Sequence, residues 1–139
     1  MPDRPAETLS TAPSGAAAER AVDRLQGMAA DVRGCAVIAS DGTALAATGE
    51  RARWGEAAAG LLAAADAAAG EPATQVHVAT EEGEAFAVRD GGYAIVAVAE
   101  RFTLASLMLT DMRAVLRDLA RAAGSADAAA ARTLAGEDG

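Results

Sequence analysis

Residues that could carry chemistry are few in this sequence and lie far apart. The chain holds one histidine, His77, one cysteine, Cys35, and no lysine. His77 has no nucleophile or carboxylate motif beside it, and a cysteine inside an apolar run behaves as a small hydrophobic residue. A phosphate-binding loop needs glycines followed by lysine, and one histidine with one cysteine do not make a structural zinc site. The sequence therefore predicts no enzyme activity, no catalytic residue, no cofactor and no metal.

Composition and charge argue against two further classes of protein. The 139 residues carry a formal net charge of −8. Nucleic-acid binding requires a concentrated positive surface, and docking on anionic lipid requires the same. No apolar run approaches the length of a membrane span, and the first 14 residues have no signal-peptide core. We expect a cytoplasmic protein with no nucleic-acid partner and no membrane insertion.

The elements that must position any site begin with a hairpin. The pair Asp41-Gly42 separates two short apolar runs, Cys35–Ser40 and Thr43–Thr48, which is a strong signal for a tight turn between antiparallel strands. Ala16–Asp31 precedes the hairpin with apolar residues at helical spacing, and the alanine-rich segment Arg53–Ala69 follows it. The first half of the fold is therefore predicted as helix, two strands, helix.

The second half adds three strands and a long helix. The strands are predicted at Thr74–Glu81, Glu84–Arg89 and Tyr93–Ala99, and the helix runs from Thr103 to about Ala123. The last strand has no polar face, so both of its faces should be covered. We therefore place it mid-sheet, between its hairpin partner and the first strand.

That placement leaves two strands at the edges of the sheet, Thr43–Thr48 and Thr74–Glu81. The stretch from Gln75 to Ala79 carries no formal charge, and an uncharged exposed edge invites another strand. We expect this edge to pair with its own copy.

The chain divides into three parts. Segment 1–14 holds most of the prolines and is predicted to be a disordered arm. Residues 15–123 form the folded domain, and the alanine-, glycine- and acid-rich segment 124–139 is predicted to be a flexible tail.

The order of elements, the motif Val32–Gly42, the small-residue second helix and the leucine-rich last helix together resemble the roadblock (dynein light-chain) domain. The resemblance covers Ala18–Ala123 and is to bacterial stand-alone members. It implies an α+β fold of order α-β-β-α-β-β-β-α, with a five-stranded antiparallel sheet between helices, as in longins and profilins. It also implies a homodimer formed through the third strands and second helices. Its members bind or regulate Ras-like small GTPases.

Candidate site residues follow from that resemblance and from the helix faces. The predicted dimer interface consists of Trp54, Ala58, Leu61, Leu62, Ala65, Gln75, Val76, His77 and Val78. Each helix residue among them has packing on its own sheet as the alternative. The predicted partner contacts are Glu56 and Asp66 at the rim of the second helix, or a basic stripe of Arg113, Arg117 and Arg121 on the last helix. The alternative for that stripe is a solvated face.

The function predicted from these observations is a non-catalytic homodimeric adaptor that binds or regulates a Ras-like small GTPase in bacterial signalling. Two other classes stay open. One is a small-molecule-sensing module of profilin or PAS-like architecture, which would need a pocket lined by aromatic or polar groups. The other is a purely structural dimeric scaffold.

Overall fold

A computed structural model describes the backbone of residues 3–138 and the side chains of residues 15–124. The order of elements is the predicted one. Their bounds are α1 Asp3–Met28, β1 Val32–Ala39, β2 Ala44–Ala47, α2 Arg51–Ala69, β3 Gln75–Ala79, β4 Glu84–Asp90, β5 Tyr93–Ala99 and α3 Ala105–Asp138.

The outer helices are longer than the sequence pattern predicts. Helix α1 begins at Asp3 instead of Ala16, and α3 continues to Asp138 instead of ending near Ala123. The predicted arm 1–14 and nearly all of the tail 124–139 lie outside the residues whose side chains are described, so the three-part division stays a prediction. Within residues 3–138, no helix combines the length and the apolar character needed to cross a membrane.

The five strands form one antiparallel sheet in the order β2-β1-β5-β4-β3. The prediction that Tyr93–Ala99 lies mid-sheet is confirmed, because β5 pairs with β1 on one side and with β4 on the other. At the predicted hairpin, Gly42 takes a φ of 91° and the Asp41 carboxylate accepts a hydrogen bond of 2.9 Å from the Thr43 amide. The two edge strands are the shortest of the sheet, with four residues in β2 and five in β3.

The helices cover the two faces of the sheet unequally. Helices α1 and α3 pack together on one face, forming what we call the two-helix layer. Helix α2 covers the other face alone, as the one-helix layer. The sheet therefore lies between helices, as the family resemblance implies.

Helix α2 is fixed to β1 and β2 at its N-terminal end. The Trp54 indole N–H donates a hydrogen bond of 2.7 Å to the Thr48 carbonyl. A Cβ on Gly34 would lie 2.8 Å from the Thr48 hydroxyl oxygen and 3.1 Å from the Trp54 ring, so only glycine fits under this contact. At its other end α2 stops at Gly70, whose φ of 77° is the left-handed geometry typical of helix C-termini.

Candidate functional site

The edge strand β3 offers unpaired backbone groups. Within the described residues it pairs only with β4. The Arg89 amide donates to the Thr74 carbonyl and the Thr80 amide to the Gly83 carbonyl, which fixes the alternation of the ladder. Because inward and outward groups alternate along an antiparallel strand, the backbone N–H and C=O groups of Gln75, His77 and Ala79 point away from β4.

The side chains of β3 divide between the two faces of the sheet. Val76 is buried under α2, whereas Val78, on the same face, is 40 % exposed. Gln75 and His77 point to the opposite face, where α3 lies. Of the predicted interface residues of β3, Gln75 and His77 thus present backbone groups at the free edge and Val78 an exposed side chain. Val76 is buried under α2, and its backbone groups face β4.

Helix α2 turns a row of small residues outward. Ala57, Gly60, Ala64 and Ala68 are exposed, and this row together with the free edge of β3 is called the α2–β3 surface below. Leu61 and Ala65 are half-buried between that row and the sheet, as is Trp54 nearer the start of the helix.

Two of the predicted interface residues belong to the protein's own core. Ala58 is fully buried against the sheet, so its assignment to the dimer interface is corrected to core packing. Leu62 is likewise buried in the one-helix layer and has little surface left for a second copy. Both follow from the 3.6-residue period, which turns them toward the sheet and away from the small-residue row.

Asp66 stabilises its own domain. Its two carboxylate oxygens accept hydrogen bonds of 2.8 and 3.1 Å from the Arg89 guanidinium. One of these oxygens also accepts a hydrogen bond of 2.8 Å from the Ala73 amide. The hydrogen bonds from Arg89 and then Ala73 lower the pKa of the Asp66 carboxyl below its ordinary value. Asp66 is thus engaged within its own domain, and its predicted role in orienting a partner stays a prediction. Glu56 is the exposed acidic group of this helix that makes no ion pair with a described residue.

His77 lies in a network that sequence reasoning missed. Its ring stacks on Phe86, the residue opposite it in β4, with centroids 4.5 Å apart and an interplanar angle of 3°. Its Nε2 lies 2.5 Å from the carboxylate of Glu84, a residue that is only 7 % exposed. The same carboxylate also accepts a hydrogen bond of 3.0 Å from the Thr103 amide. The hydrogen bond from His77 is the main reason that the pKa of Glu84 is lowered, against the opposing effect of desolvation. His77 thus ties the edge strand to the β5–α3 loop.

The predicted arginine stripe on α3 is divided by its contacts. Arg113 donates a hydrogen bond to the Gln75 side-chain oxygen and so links α3 to the edge strand. Arg117 and Arg121 are exposed and lie near Asp118, which pairs with Arg24 of α1. One member of the stripe, Arg113, therefore links α3 to β3, and the other two, Arg117 and Arg121, face solvent.

An open groove of about 760 Å³ lies between α2 and the turns of the two hairpins. Its lining includes Asp41, Asp66, Arg89, Asp90 and Tyr93. Because Arg89 and Asp66 pair with each other, the cation of this groove is already neutralised within the domain.

No protein-family model matches the sequence, and no curated protein matches it. Solved structures do match. The gliding protein MglB from Thermus thermophilus has a TM-score of 0.66 and 18% identity, covering 81% of this chain and 92% of that one. A Roadblock/LC7 domain from Streptomyces avermitilis has a TM-score of 0.64 and 16% identity, covering 73% and 92%. A structure of MglB with tetrameric arrangement has a TM-score of 0.58 and 19% identity, covering 80% and 93%. The chain therefore has the Roadblock/LC7 fold, and the resemblance seen in its sequence is confirmed at the level of the fold.

Proposed function

We propose that this chain is a non-catalytic homodimeric adaptor that binds or regulates a Ras-like small GTPase in the bacterial cytoplasm. The observation that carries the proposal is the α2–β3 surface, which combines a row of exposed small side chains on α2 with an unpaired strand edge at β3. The roadblock fold and its likeness to MglB support the same role.

The dimer forms by pairing of the two β3 edges about a two-fold axis. The outward backbone groups of Gln75, His77 and Ala79 extend each sheet into the other, and Val78 loses its exposed surface to the partner. Small residues at Ala57, Gly60, Ala64 and Ala68 let the two α2 helices approach closely beside the axis. The structure of MglB in a tetrameric arrangement supports self-association as a property of this fold.

Proline at Ala79 tests this dimer. Ala79→Pro removes an outward N–H that serves no bond to β4, so the domain should keep its fold while losing an intersubunit hydrogen bond. Ala79→Thr keeps the N–H and is the matched control. Light scattering should give about twice the chain mass of 13.8 kDa for the wild type and Ala79→Thr, and a shift toward monomer for Ala79→Pro. A monomeric wild type at micromolar concentration would overturn the dimer.

The GTPase docks across the paired α2 helices. Two copies of one helix make a symmetric platform, so one GTPase that straddles the axis excludes a second. Glu56 provides an exposed charge at the rim of this platform. The competing site is the solvent-facing part of the arginine stripe, which would admit one partner on each subunit.

Stoichiometry and charge reversal separate these two sites. The probe is a Ras-like small GTPase from the same genome, loaded with GDP or with a non-hydrolysable GTP analogue. Two adaptor chains bound to one GTPase, with association slowed by Glu56→Arg and unaffected by Arg117→Glu, support the α2 platform. A two-to-two complex weakened only by Arg117→Glu places the partner on α3 instead. If a stable dimer binds no such GTPase in either nucleotide state, the structural scaffold replaces this proposal.

A further inference from the structure

Large apolar side chains are exposed where α1 ends and α3 begins. Phe102 is 84 % exposed, Leu104 65 %, Leu107 56 % and Met28 42 %. Among the described residues, the other large hydrophobic side chain with comparable exposure is Val78, which lies at the β3 edge. An exposed apolar cluster of this kind marks an interaction site on a soluble protein.

Three of these side chains share one depression. Met28 from α1 and Leu104 and Leu107 from the start of α3 line a groove of about 130 Å³, which we call the α1–α3 groove. Its floor includes Met108, which is buried in the two-helix layer. The groove is thus continuous with the core and has the size of a socket for one large side chain.

The loop that presents these residues is held from inside the domain. Phe102 has a φ of 65°, a left-handed conformation that a non-glycine residue adopts only when its surroundings impose it. The next residue, Thr103, is fixed twice: its amide donates to the buried Glu84 carboxylate, and its hydroxyl donates 2.6 Å to the Glu100 carbonyl. The backbone between Phe102 and Leu104 is therefore held in place by contacts from within the domain.

The charges at the groove select the occupant. Asp31 and Asp111 belong to its lining, and neither forms an ion pair with another described residue. Among the described residues that line the groove, none is an arginine. A second copy of this chain, packed groove to groove about a two-fold axis, would bring these carboxylates together, and an anionic membrane would repel them. A cationic partner is complementary.

We propose that the α1–α3 groove binds an amphipathic helix of another protein, with apolar residues three or four positions apart and an arginine or lysine beside them. Its apolar residues pack against Met28, Leu104 and Leu107, and its cation pairs with Asp31 or Asp111. Helices recognised in grooves use this spacing of anchors. The groove belongs to the two-helix layer, across the sheet from α2, so it leaves the α2–β3 surface free.

A synthetic peptide tests the groove directly. The probe is a fluorescein-labelled helical peptide of about four turns, with leucines on one face and arginines flanking them. One control peptide has the same composition in a scrambled order that destroys the apolar face, and a second has glutamate in place of arginine. Fluorescence anisotropy with the full-length protein should show saturable binding of the first peptide and at least about 10-fold weaker binding of both controls.

Substitutions in the protein locate the binding site. Leu107→Asp should weaken binding by at least about 10-fold, because a charge replaces an apolar anchor at an exposed position that the fold does not need. Ser106→Asp introduces the same charge in the same turn of α3 but outside the groove lining, and should leave affinity unchanged. Asp111→Asn should weaken binding by about threefold and reduce its salt dependence.

Three results would overturn the proposal. Equal binding of the scrambled peptide would show general attraction to an acidic protein. Equal weakening by Leu107→Asp and Ser106→Asp would show that charge and not the groove is responsible. A change of oligomeric mass on Leu107→Asp, with no effect on the peptide, would assign the surface to contacts between copies of this chain.

Discussion

The two faces of the sheet are covered by buried side chains of different size. The two-helix layer holds all of the largest fully buried side chains among the described residues, namely Phe86, Leu25, Ile95, Met112, Leu116, Val37, Val115 and Cys35. The one-helix layer is filled mostly by alanine, with Ile38, Leu62, Val76 and Val96 as its larger members. Because apolar stabilisation grows with buried area, the first face supplies most of the stability of the domain.

The alanine-rich packing of the one-helix layer also affects the outer side of α2. A helix that covers a sheet with alanine lies close to it and needs few bulky residues of its own, so its outer side can also be small. That outer side is the row Ala57, Gly60, Ala64 and Ala68. One face of the sheet therefore carries most of the buried apolar bulk, and the outer side of the helix on the other face is the surface that we propose for association.

Truncation of one large residue on each face should show this difference most strongly. Phe86→Ala removes a fully buried ring from the two-helix layer and should cost about 3–5 kcal/mol of unfolding free energy. Leu62→Ala in the one-helix layer should cost about 2 kcal/mol. Urea denaturation at fixed protein concentration measures both. Equal losses would mean that the two layers stabilise the domain alike.

Thiol reactivity compares how easily each layer opens. Cys35 is fully buried under α1, and burial raises the pKa of its thiol to about 11. Alkylation at pH 7.5 should therefore occur only when the two-helix layer opens. In a Cys35→Ala background, Ala87→Cys places a thiol at a fully buried position under α2. This thiol should react about 10-fold faster or more, since the layer above it is thinner. A slower reaction at position 87 would reverse the comparison.

Acid should loosen the network that joins the edge strand to the β5–α3 loop. The pKa of Glu84 is lowered in the folded state, so its contribution to stability is present above the ordinary value of 4.5 and is lost as the pH falls through the folded value. Urea midpoints should therefore fall below about pH 4.5.

Two variants separate Glu84 from the other carboxylates. Glu84→Gln should lower stability at pH 7 and flatten the acid slope, because the folded state loses a charged partner for His77 and Thr103. Glu81→Gln, in the exposed turn before β4, should leave the slope unchanged. An acid slope that Glu84→Gln does not alter would assign it to other groups with lowered pKa values, such as Asp66.

The fold could be predicted from the sequence because its main signals are local. The Asp41-Gly42 turn fixed the first hairpin, and the doubly apolar strand at Tyr93–Ala99 fixed the sheet order. The limits of α1 and α3 were wrong because proline-containing and alanine-rich segments were taken as the ends of helices, whereas the helical backbone continues through them.

The candidate site was less predictable because its side chains meet through contacts distant in sequence. Asp66 pairs with Arg89 from another element, and His77 reaches Glu84 only through the β3–β4 register. Spacing along one helix places Asp66 on a rim and cannot show that a strand brings an arginine to it. The exposed row on α2 was visible from the sequence because it follows the helical period alone.

The smallest expected effect concerns the small-residue row of α2 and tests whether that row faces solvent or a second copy of the chain. Gly60 lies mid-helix with nothing within 4 Å of where a Cβ would stand, so within one chain Gly60→Ala is free of clashes. Helix propensity then favours alanine by about 1 kcal/mol. If the row faces solvent, Gly60→Ala raises the urea midpoint and leaves the mass in solution unchanged. If two α2 helices pack closely across the axis, the added methyl group meets the partner helix, and the dimer dissociation constant rises although the isolated helix is improved.

Gly55→Ala is unsuitable as a control, because its Cβ would lie 3.3 Å from the Gly42 carbonyl oxygen. Gly124→Ala in α3 has the same open surroundings as Gly60 and no expected contact with a second copy. We expect Gly124→Ala to stabilise without changing dimerisation, and Gly60→Ala to weaken the dimer. Identical behaviour of the two variants would remove α2 from the interface and leave β3 alone to hold the dimer.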